Sequence, residues 1–81
     1  MTPNTQILER LTALLRDVFY DDNLVATETL TAQAVDGWDS VGHVRLLAEI
    51  EHEFGIRFNS TETAALRTVG QLADLIRKKL Q

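Results

Sequence analysis

Apolar residues recur at helical spacing in three segments of this 81-residue chain, and a chain this short has few ways to bury three such stripes. The spacing predicts a first helix over residues 4–19, a second over 40–54 and a last over 69–80, with a short third helix or turn over 61–66. Residues 20–39 show no sustained period and contain turn formers, so they are predicted to be a long loop. We expect an all-α four-helix bundle with a long first loop, folded as a single domain over residues 1–81.

The predicted core is made of the apolar stripes of these helices and of a few anchors in the loop. The first helix contributes Ile7, Leu8, Leu11, Leu14, Leu15 and Val18; the second contributes Val41, Val44, Leu46, Leu47, Ile50 and Phe54; the last contributes Val69, Leu72, Leu75, Ile76 and Leu80. Leu24, Leu30 and Val35 are the predicted loop anchors. Start signals precede the first helix at Thr2, Pro3 and Asn4, Gly55 ends the second, and Thr68 with Gln71 forms a capping box for the last.

Composition and charge exclude several classes of function. The chain has no cysteine, so disulfides, cysteine nucleophiles and thiolate metal sites are excluded. No apolar run approaches the roughly 20 residues of a membrane span. Residues 17–62 hold ten acidic residues against Arg45 and Arg57, a net charge of −8 within a total of −4. This acidic middle repels nucleic acid and anionic lipid and attracts basic protein surfaces. Without a signal peptide, a free-standing, cytoplasmic protein is expected.

One serine stands out because of the residues around it, Gly37-Trp38-Asp39-Ser40. Gly37 allows a tight turn, and Asp39 is a good N-cap for the second helix. Ser40 is therefore expected in the first turn, at a convex edge, with its hydroxyl in solvent. A serine in that place does little chemistry alone, but another protein can reach and modify it.

Three motifs in order resemble the acyl carrier proteins, over about residues 5 to 80. They are Gly37-Trp38-Asp39-Ser40, the acidic helix that ends in Glu51-His52-Glu53-Phe54-Gly55-Ile56, and Thr68-Val69-Gly70-Gln71-Leu72. The resemblance implies that Ser40 carries 4′-phosphopantetheine, donated from coenzyme A, through a phosphodiester. The terminal thiol of that arm holds acyl groups as thioesters in fatty-acid, polyketide or related biosynthesis. The chain itself is then a carrier and not an enzyme, and it needs no metal site of its own.

The resemblance also implies partners and the residues that meet them. The partners are a phosphopantetheinyl transferase, acyl-activating or acyl-transferring enzymes, and downstream synthase enzymes, which act on a monomeric carrier. Asp39 is implied in recognition by the transferase. The residues expected to dock partners are Asp36, Val41, Glu49, Glu51 and Glu53, and those expected to contact an acyl chain are Leu46, Ile50 and Leu66.

Several alternatives stay open at this point. The chain could be a peptidyl carrier, or a scaffold bundle without a prosthetic group, and Ser40 could be an ordinary cap residue. His43, three residues after Ser40, suggests a hydrolase, although no oxyanion hole or pocket is visible, and we expect His43 to be a surface contact residue. His43 and His52 lie about half a turn out of phase, which argues against a metal site.

Three residues depart from the usual pattern of the acyl carrier proteins. Val41 stands where leucine is commoner, Arg45 where glutamate is usual, and Trp38 where a small residue is typical. Arg45 places a positive charge on the docking helix, which favours a specialised pathway. Trp38 either packs its loop onto the core or meets a partner, and packing is the preferred interpretation. Gly42, which weakens a helix, either admits the arm or a partner, or is a tolerated loss.

Overall fold

Four α-helices follow one another along the chain: α1 (Asn4–Phe19), α2 (Ser40–Phe54), α3 (Ser60–Ala64) and α4 (Val69–Leu80). This computed structural model describes residues 4–80. No strand forms within that range, and one isolated bridge pairs Thr31 with Thr68. The predicted all-α fold is confirmed. The start signals assigned to Thr2 and Pro3 lie outside the described residues.

Local capping interactions explain where the helices begin and end. Gly55 ends α2 in the left-handed conformation, with φ 68°, and its N–H donates to the carbonyl of Glu51. The capping box between Thr68 and Gln71 is confirmed, since each side chain accepts the other residue's N–H at 3.2 Å. α3 is shorter than predicted and starts one residue earlier, because Asn59 and Glu62 form a capping box around its first turn.

The core lies where α1 packs against both α2 and α4. Its fully buried centre consists of Ile7, Leu11 and Leu15 from α1, Leu46 and Ile50 from α2, and Val69, Ala73 and Ile76 from α4. Phe54, Ile56 and Leu72 are also buried and pack at the edge of this core. Burial of this apolar surface is the main force that holds three amphipathic helices together.

The predicted core stripe of α2 is wrong at its first two positions. Val41 is 77% exposed and Val44 is 67% exposed. Leu46, Ile50 and Phe54, spaced four apart, face the core instead. Val41 precedes Ile50 by nine residues, which places the two on opposite sides of a helix. The prediction also fails for Leu80, which is 38% exposed, because Ile76 is the last residue of α4 that lies in the buried core.

The long loop over residues 20–39 is tied to α1 and to the start of α4. The N–H of Ala26 donates to the Thr12 hydroxyl at 2.9 Å, and the N–H of Val69 donates to the Leu30 carbonyl at 2.8 Å. Of the predicted anchors, Val35 is buried, while Leu24 and Leu30 are half-buried against the core. A short 3₁₀ turn, Ala32–Ala34, follows and leads the chain back towards α2.

Candidate functional site

Ser40 is the first residue of α2, and its side chain is exposed. Gly37 turns the chain just before it in the left-handed conformation, with φ 88°. Asp39 caps the helix: its Oδ1 accepts the Gly42 N–H at 2.8 Å, and its carbonyl accepts the His43 N–H at 2.8 Å. The turn and the cap together hold Ser40 in the exposed first turn of α2, as the sequence predicts.

Gly42 is required by the chain's own packing. A Cβ at this position would lie 2.4 Å from the carbonyl oxygen of Gly37 and 2.9 Å from the ring of Phe19. Neither distance is compatible with real atoms, so only glycine lets the start of α2 settle against the turn at Gly37. This packing explains the glycine without the arm or a partner, and it shows that Gly42 is more than a tolerated loss of helix stability.

An aromatic stack fastens the same turn to α1. The rings of Phe19 and Trp38 stack with centroids 5.5 Å apart, and the Trp38 ring also stacks on His43. The Trp38 indole N–H donates to His43 Nδ1 at 3.0 Å. The preferred interpretation of Trp38 as a packing residue is confirmed. His43, expected to be a surface contact residue, is half-buried in this stack.

The same hydrogen bond weighs against a hydrolytic role for His43. A neutral imidazole has one nitrogen that accepts and one that carries the proton. His43 Nδ1 accepts the indole N–H, so this nitrogen is not free to act on Ser40. Within residues 4–80, no hydrogen bond joins His43 to the Ser40 hydroxyl, which is the contact by which a histidine activates a serine nucleophile.

The start of α2 suits an anionic group attached to Ser40. Asp39 satisfies the N–H groups of Gly42 and His43, which leaves those of Ser40 and Val41, the first two of the helix, without an intrahelical acceptor. These groups and the helix dipole favour negative charge at this end. The carboxylates of Asp36 and Asp39 oppose it, so such a group is better accommodated leaning outward than pressed against the cap.

The residues expected to dock partners do not all lie together. Asp36 and Val41 flank Ser40, but Glu49, Glu51 and Glu53 lie about 14 to 20 Å further along α2. Two of these three have structural tasks. Glu51 Oε2 accepts the Phe58 N–H at 2.8 Å, and Glu53 forms an ion pair with Arg10 at 2.6 Å.

Two further exposed residues, Val44 and Tyr20, are not among the predicted site residues. The apolar spacing predicts Val44 in the core, and no motif points to Tyr20, yet both side chains are exposed. A shallow, mainly apolar hollow is lined by Ser40, Val41, Val44 and Arg45, and Arg45 contacts Tyr20. The spacing of Leu46, Ile50 and Phe54 was the signal in the sequence, because that register turns Val41 and Val44 outward.

The residues expected to contact an acyl chain divide between the core and a cleft. Leu46 and Ile50 are completely buried. Leu66 is half-buried and lines a cleft of about 40 Å³ together with Trp38, His43 and Leu72. One water molecule needs roughly 10–15 Å³ of such space, so the cleft has room for only a few waters, and an acyl chain of several carbons could enter here only by moving side chains apart.

Residues 4–80 contain neither a metal-binding cluster nor a membrane span. No group of three or more histidine, aspartate or glutamate side chains is arranged to hold a metal ion. Nor does this part of the chain contain a helix with the length and hydropathy that a membrane span requires.

Comparison with known proteins agrees with this geometry. Residues 9–76 match the family described as "Phosphopantetheine attachment site". An acyl carrier protein of Thermosynechococcus vestitus is 31% identical over 77 residues, which cover 94% of each chain. The solution structure of a holo acyl carrier protein from Geobacter metallireducens is similar with a TM-score of 0.86 and 42% identity, covering 90% of this chain and 84% of that one. The crystal structure of an acyl carrier protein from Thermotoga maritima has a TM-score of 0.82 and 25% identity, covering 95% and 89%.

Proposed function

The chain belongs to the phosphopantetheine-attachment family and is an acyl carrier protein, and on this premise we propose that Ser40 bears its 4′-phosphopantetheine arm. The arm, when bound, supplies a terminal thiol on which acyl groups are held as thioesters. The chain has two serines, Ser40 and Ser60, and the family match spans both of them. The choice between them has to come from their surroundings.

The two serines have the same local geometry, which makes their differences informative. Each is exposed, each is the first residue of a helix, and each follows a residue whose side chain caps that helix. Ser60 opens a helix of five residues, whose Glu62 is engaged with Asn59 and with Lys79.

Ser40 differs because it opens a helix of 15 residues and lies beside two strongly exposed apolar side chains, Val41 at 77% and Val44 at 67%. The hollow beside Ser60 also includes Val44, but its other large apolar residues, Leu47 and Phe58, are half-buried. This apolar surface beside Ser40 is the observation that carries the proposal, since a modifying enzyme needs a surface on which to dock.

Asp39 is suited to two tasks at once in this proposal. Its Oδ1 holds the start of α2 through Gly42, and within residues 4–80 its Oδ2 makes no hydrogen bond. An exposed carboxylate oxygen is a good ligand for the Mg²⁺ that a transferase brings. We therefore assign Asp39 to both helix capping and transferase recognition, with Asp36 adding to the negative potential of the same edge.

The chain acts in this proposal as a substrate for other enzymes rather than as a catalyst. His43 forms a hydrogen bond with Trp38, and Ser40 is exposed beside a hollow that is too shallow to enclose a substrate. An exposed helix start is suited to presenting a tethered group to many active sites in turn. The partners are a phosphopantetheinyl transferase and then enzymes that load, modify and remove acyl groups.

The intact mass of two matched variants tests the attachment site. The purified protein is treated with a broad-specificity phosphopantetheinyl transferase, Mg²⁺ and coenzyme A, and weighed before and after. Wild-type protein and Ser60→Ala should gain the mass of one arm, while Ser40→Ala should gain none and keep the helical circular dichroism of the wild type. Modification of Ser40→Ala, or its loss in Ser60→Ala, would refute the assignment.

A further inference from the structure

Tyr20 adopts a backbone conformation that is unfavourable for tyrosine, and it does so with its side chain in solvent. It follows α1 with φ 53°, and the next N–H, of Asp21, donates to the Arg16 carbonyl at 3.2 Å to close the helix. Glycine is the usual residue at such a position, because any Cβ is crowded there. Tyr20 is 80% exposed, so burial offsets little of this cost. A strained backbone that carries an exposed side chain points to a role outside folding.

The partner of Tyr20 in the structure is Arg45 on α2. Arg45 Nη2 lies 3.4 Å from the Tyr20 hydroxyl oxygen, and the guanidinium carbon lies 5.8 Å from the centre of the ring. The hydrogen bond with Tyr20 is the main cause that raises the pKa of Arg45, and the carboxylates of Glu49 and Asp17 add to it at longer range. Within residues 4–80, no carboxylate forms an ion pair with Arg45. Its positive charge is therefore permanent and still available to a partner.

Tyr20, Val41, Val44 and Arg45 form one surface next to Ser40, which we name the docking patch. Val41 and Arg45 are four residues apart and so neighbours on one face of α2, and Arg45 joins them to Tyr20. The patch is apolar apart from one cation. That cation stands out because residues 17–62 contain only one other, Arg57, among ten acidic residues.

We propose that the docking patch selects enzymes that present an aspartate or glutamate to Arg45, beside an apolar recess that receives Val41 and Val44. This inference rests on the proposed attachment of the arm to Ser40, since only enzymes acting on that arm need to dock here. A guanidinium has five N–H donors, so the contact with Tyr20 leaves others for a carboxylate. A partner that places lysine or arginine opposite Arg45 meets like charges and is rejected. Arg45 is thus a specificity-determining residue, and Tyr20 positions it.

The test compares two charge reversals in loading by a broad-specificity phosphopantetheinyl transferase whose docking surface is rich in lysine and arginine. Arg45→Glu changes the docking patch. Arg57→Glu is the matched control, because it alters the net charge equally but lies beyond the other end of α2. At low salt we expect kcat/KM to rise roughly ten-fold more for Arg45→Glu than for the control, with the difference shrinking at high salt.

A second arm of the experiment tests the carboxylate directly. Lysines and arginines of the transferase's docking surface are changed singly to glutamate, and each variant is assayed with wild-type carrier and with Arg45→Glu. The unmodified transferase should load Arg45→Glu faster than wild-type carrier. At least one of the transferase variants should show the opposite order and load wild-type carrier faster than Arg45→Glu. Tyr20→Gly should fold at least as stably as wild type. It should also reduce, several-fold, the difference between the loading rates given by the unmodified transferase and by its glutamate variant, and the loss of a purely structural tyrosine would leave that difference unchanged.

Three outcomes would overturn the inference. The first is equal effects of Arg45→Glu and Arg57→Glu, and the second is the absence of any transferase variant that couples to position 45. The third is a dimer in sedimentation that Arg45→Glu dissociates, because the patch would then belong to a second copy of this chain. Failure of the attachment proposal looks different, since Ser40→Ala would then be loaded as wild type is.

Discussion

The contact between Gly42 and Gly37 predicts that a substitution that normally stabilises helices will here destabilise the protein. Alanine in place of glycine inside a helix gains about 1 kcal/mol. At Gly42, however, the new methyl carbon would lie 2.4 Å from a backbone carbonyl oxygen and 2.9 Å from an aromatic carbon. The backbone of the turn at Gly37 or the start of α2 must then move. Overpacking of this kind costs about 1–3 kcal/mol, and a backbone clash belongs at the upper end.

The expected net effect of Gly42→Ala is a loss of about 2 kcal/mol in the free energy of unfolding, after the gain in helix propensity is subtracted. For a domain of this size the melting temperature should fall by about 10 °C. Urea denaturation followed by far-ultraviolet circular dichroism measures the change. Loading of Ser40 should slow as well, because the displaced turn carries Asp39 and Ser40.

A second substitution on the same helix provides the control. Ala48 is exposed in the middle of α2, so Ala48→Gly reports helix propensity without steric conflict and should cost about 1 kcal/mol. If Gly42→Ala stabilises the protein by a similar amount, the close packing of α2 against the turn is wrong.

Three further predictions concern α2 and the core. Glu51→Ala should lower the free energy of unfolding in urea by about 1–2 kcal/mol, because the Phe58 N–H loses its acceptor. Glu49→Ala is the control and should change it by less than about 0.5 kcal/mol. Equal effects of the two substitutions would contradict the structural role of Glu51. Charge reversal at Glu49 and Glu53 should slow transferase loading at low salt if these residues attract basic partners, and unchanged kinetics would mean that they form only a solvated face. If the acyl chain enters the core, each buried CH₂ should stabilise the protein by roughly 0.8 kcal/mol. Acyl groups of increasing length should then raise the melting temperature and shift the NMR signals of Leu46, Ile50 and Leu66. A melting temperature that does not change with acyl length would place the cargo in solvent.

The helix boundaries could be predicted because the signals that set them are local. Asp39 and Gly55 bracket α2 within a few residues of sequence, and the capping box of Thr68 and Gln71 starts α4. The boundaries of α2 and α4 agree with prediction for this reason, and α1 ends at Phe19 as predicted. α3 has only five residues and no apolar period, so its start can be predicted only from the capping box that Asn59 forms with Glu62.

The errors concern features that depend on how distant segments meet. The sequence of α2 contains two apolar stripes at helical spacing, one through Val41, Val44 and Leu47 and one through Leu46, Ile50 and Phe54. The packing of α2 on α1 decides that the second stripe is the buried one. The role of Gly42 depends on the path of a 20-residue loop that no local rule describes. His43 was expected at the surface although its partner, Trp38, is only five residues away: the turn at Gly37 brings the indole beside α2, and Phe19 of α1 stacks on the indole.

The residue that bears the added mass is the most direct test of the central claim. Cleavage after arginine separates the two serines, with Ser40 in the peptide 17–45 and Ser60 in the peptide 58–67. After loading with coenzyme A and a broad-specificity transferase, mass spectrometry of these peptides should find one arm on 17–45, and fragmentation should place it on Ser40. An arm on 58–67, or on any residue of 17–45 other than Ser40, would contradict the assignment.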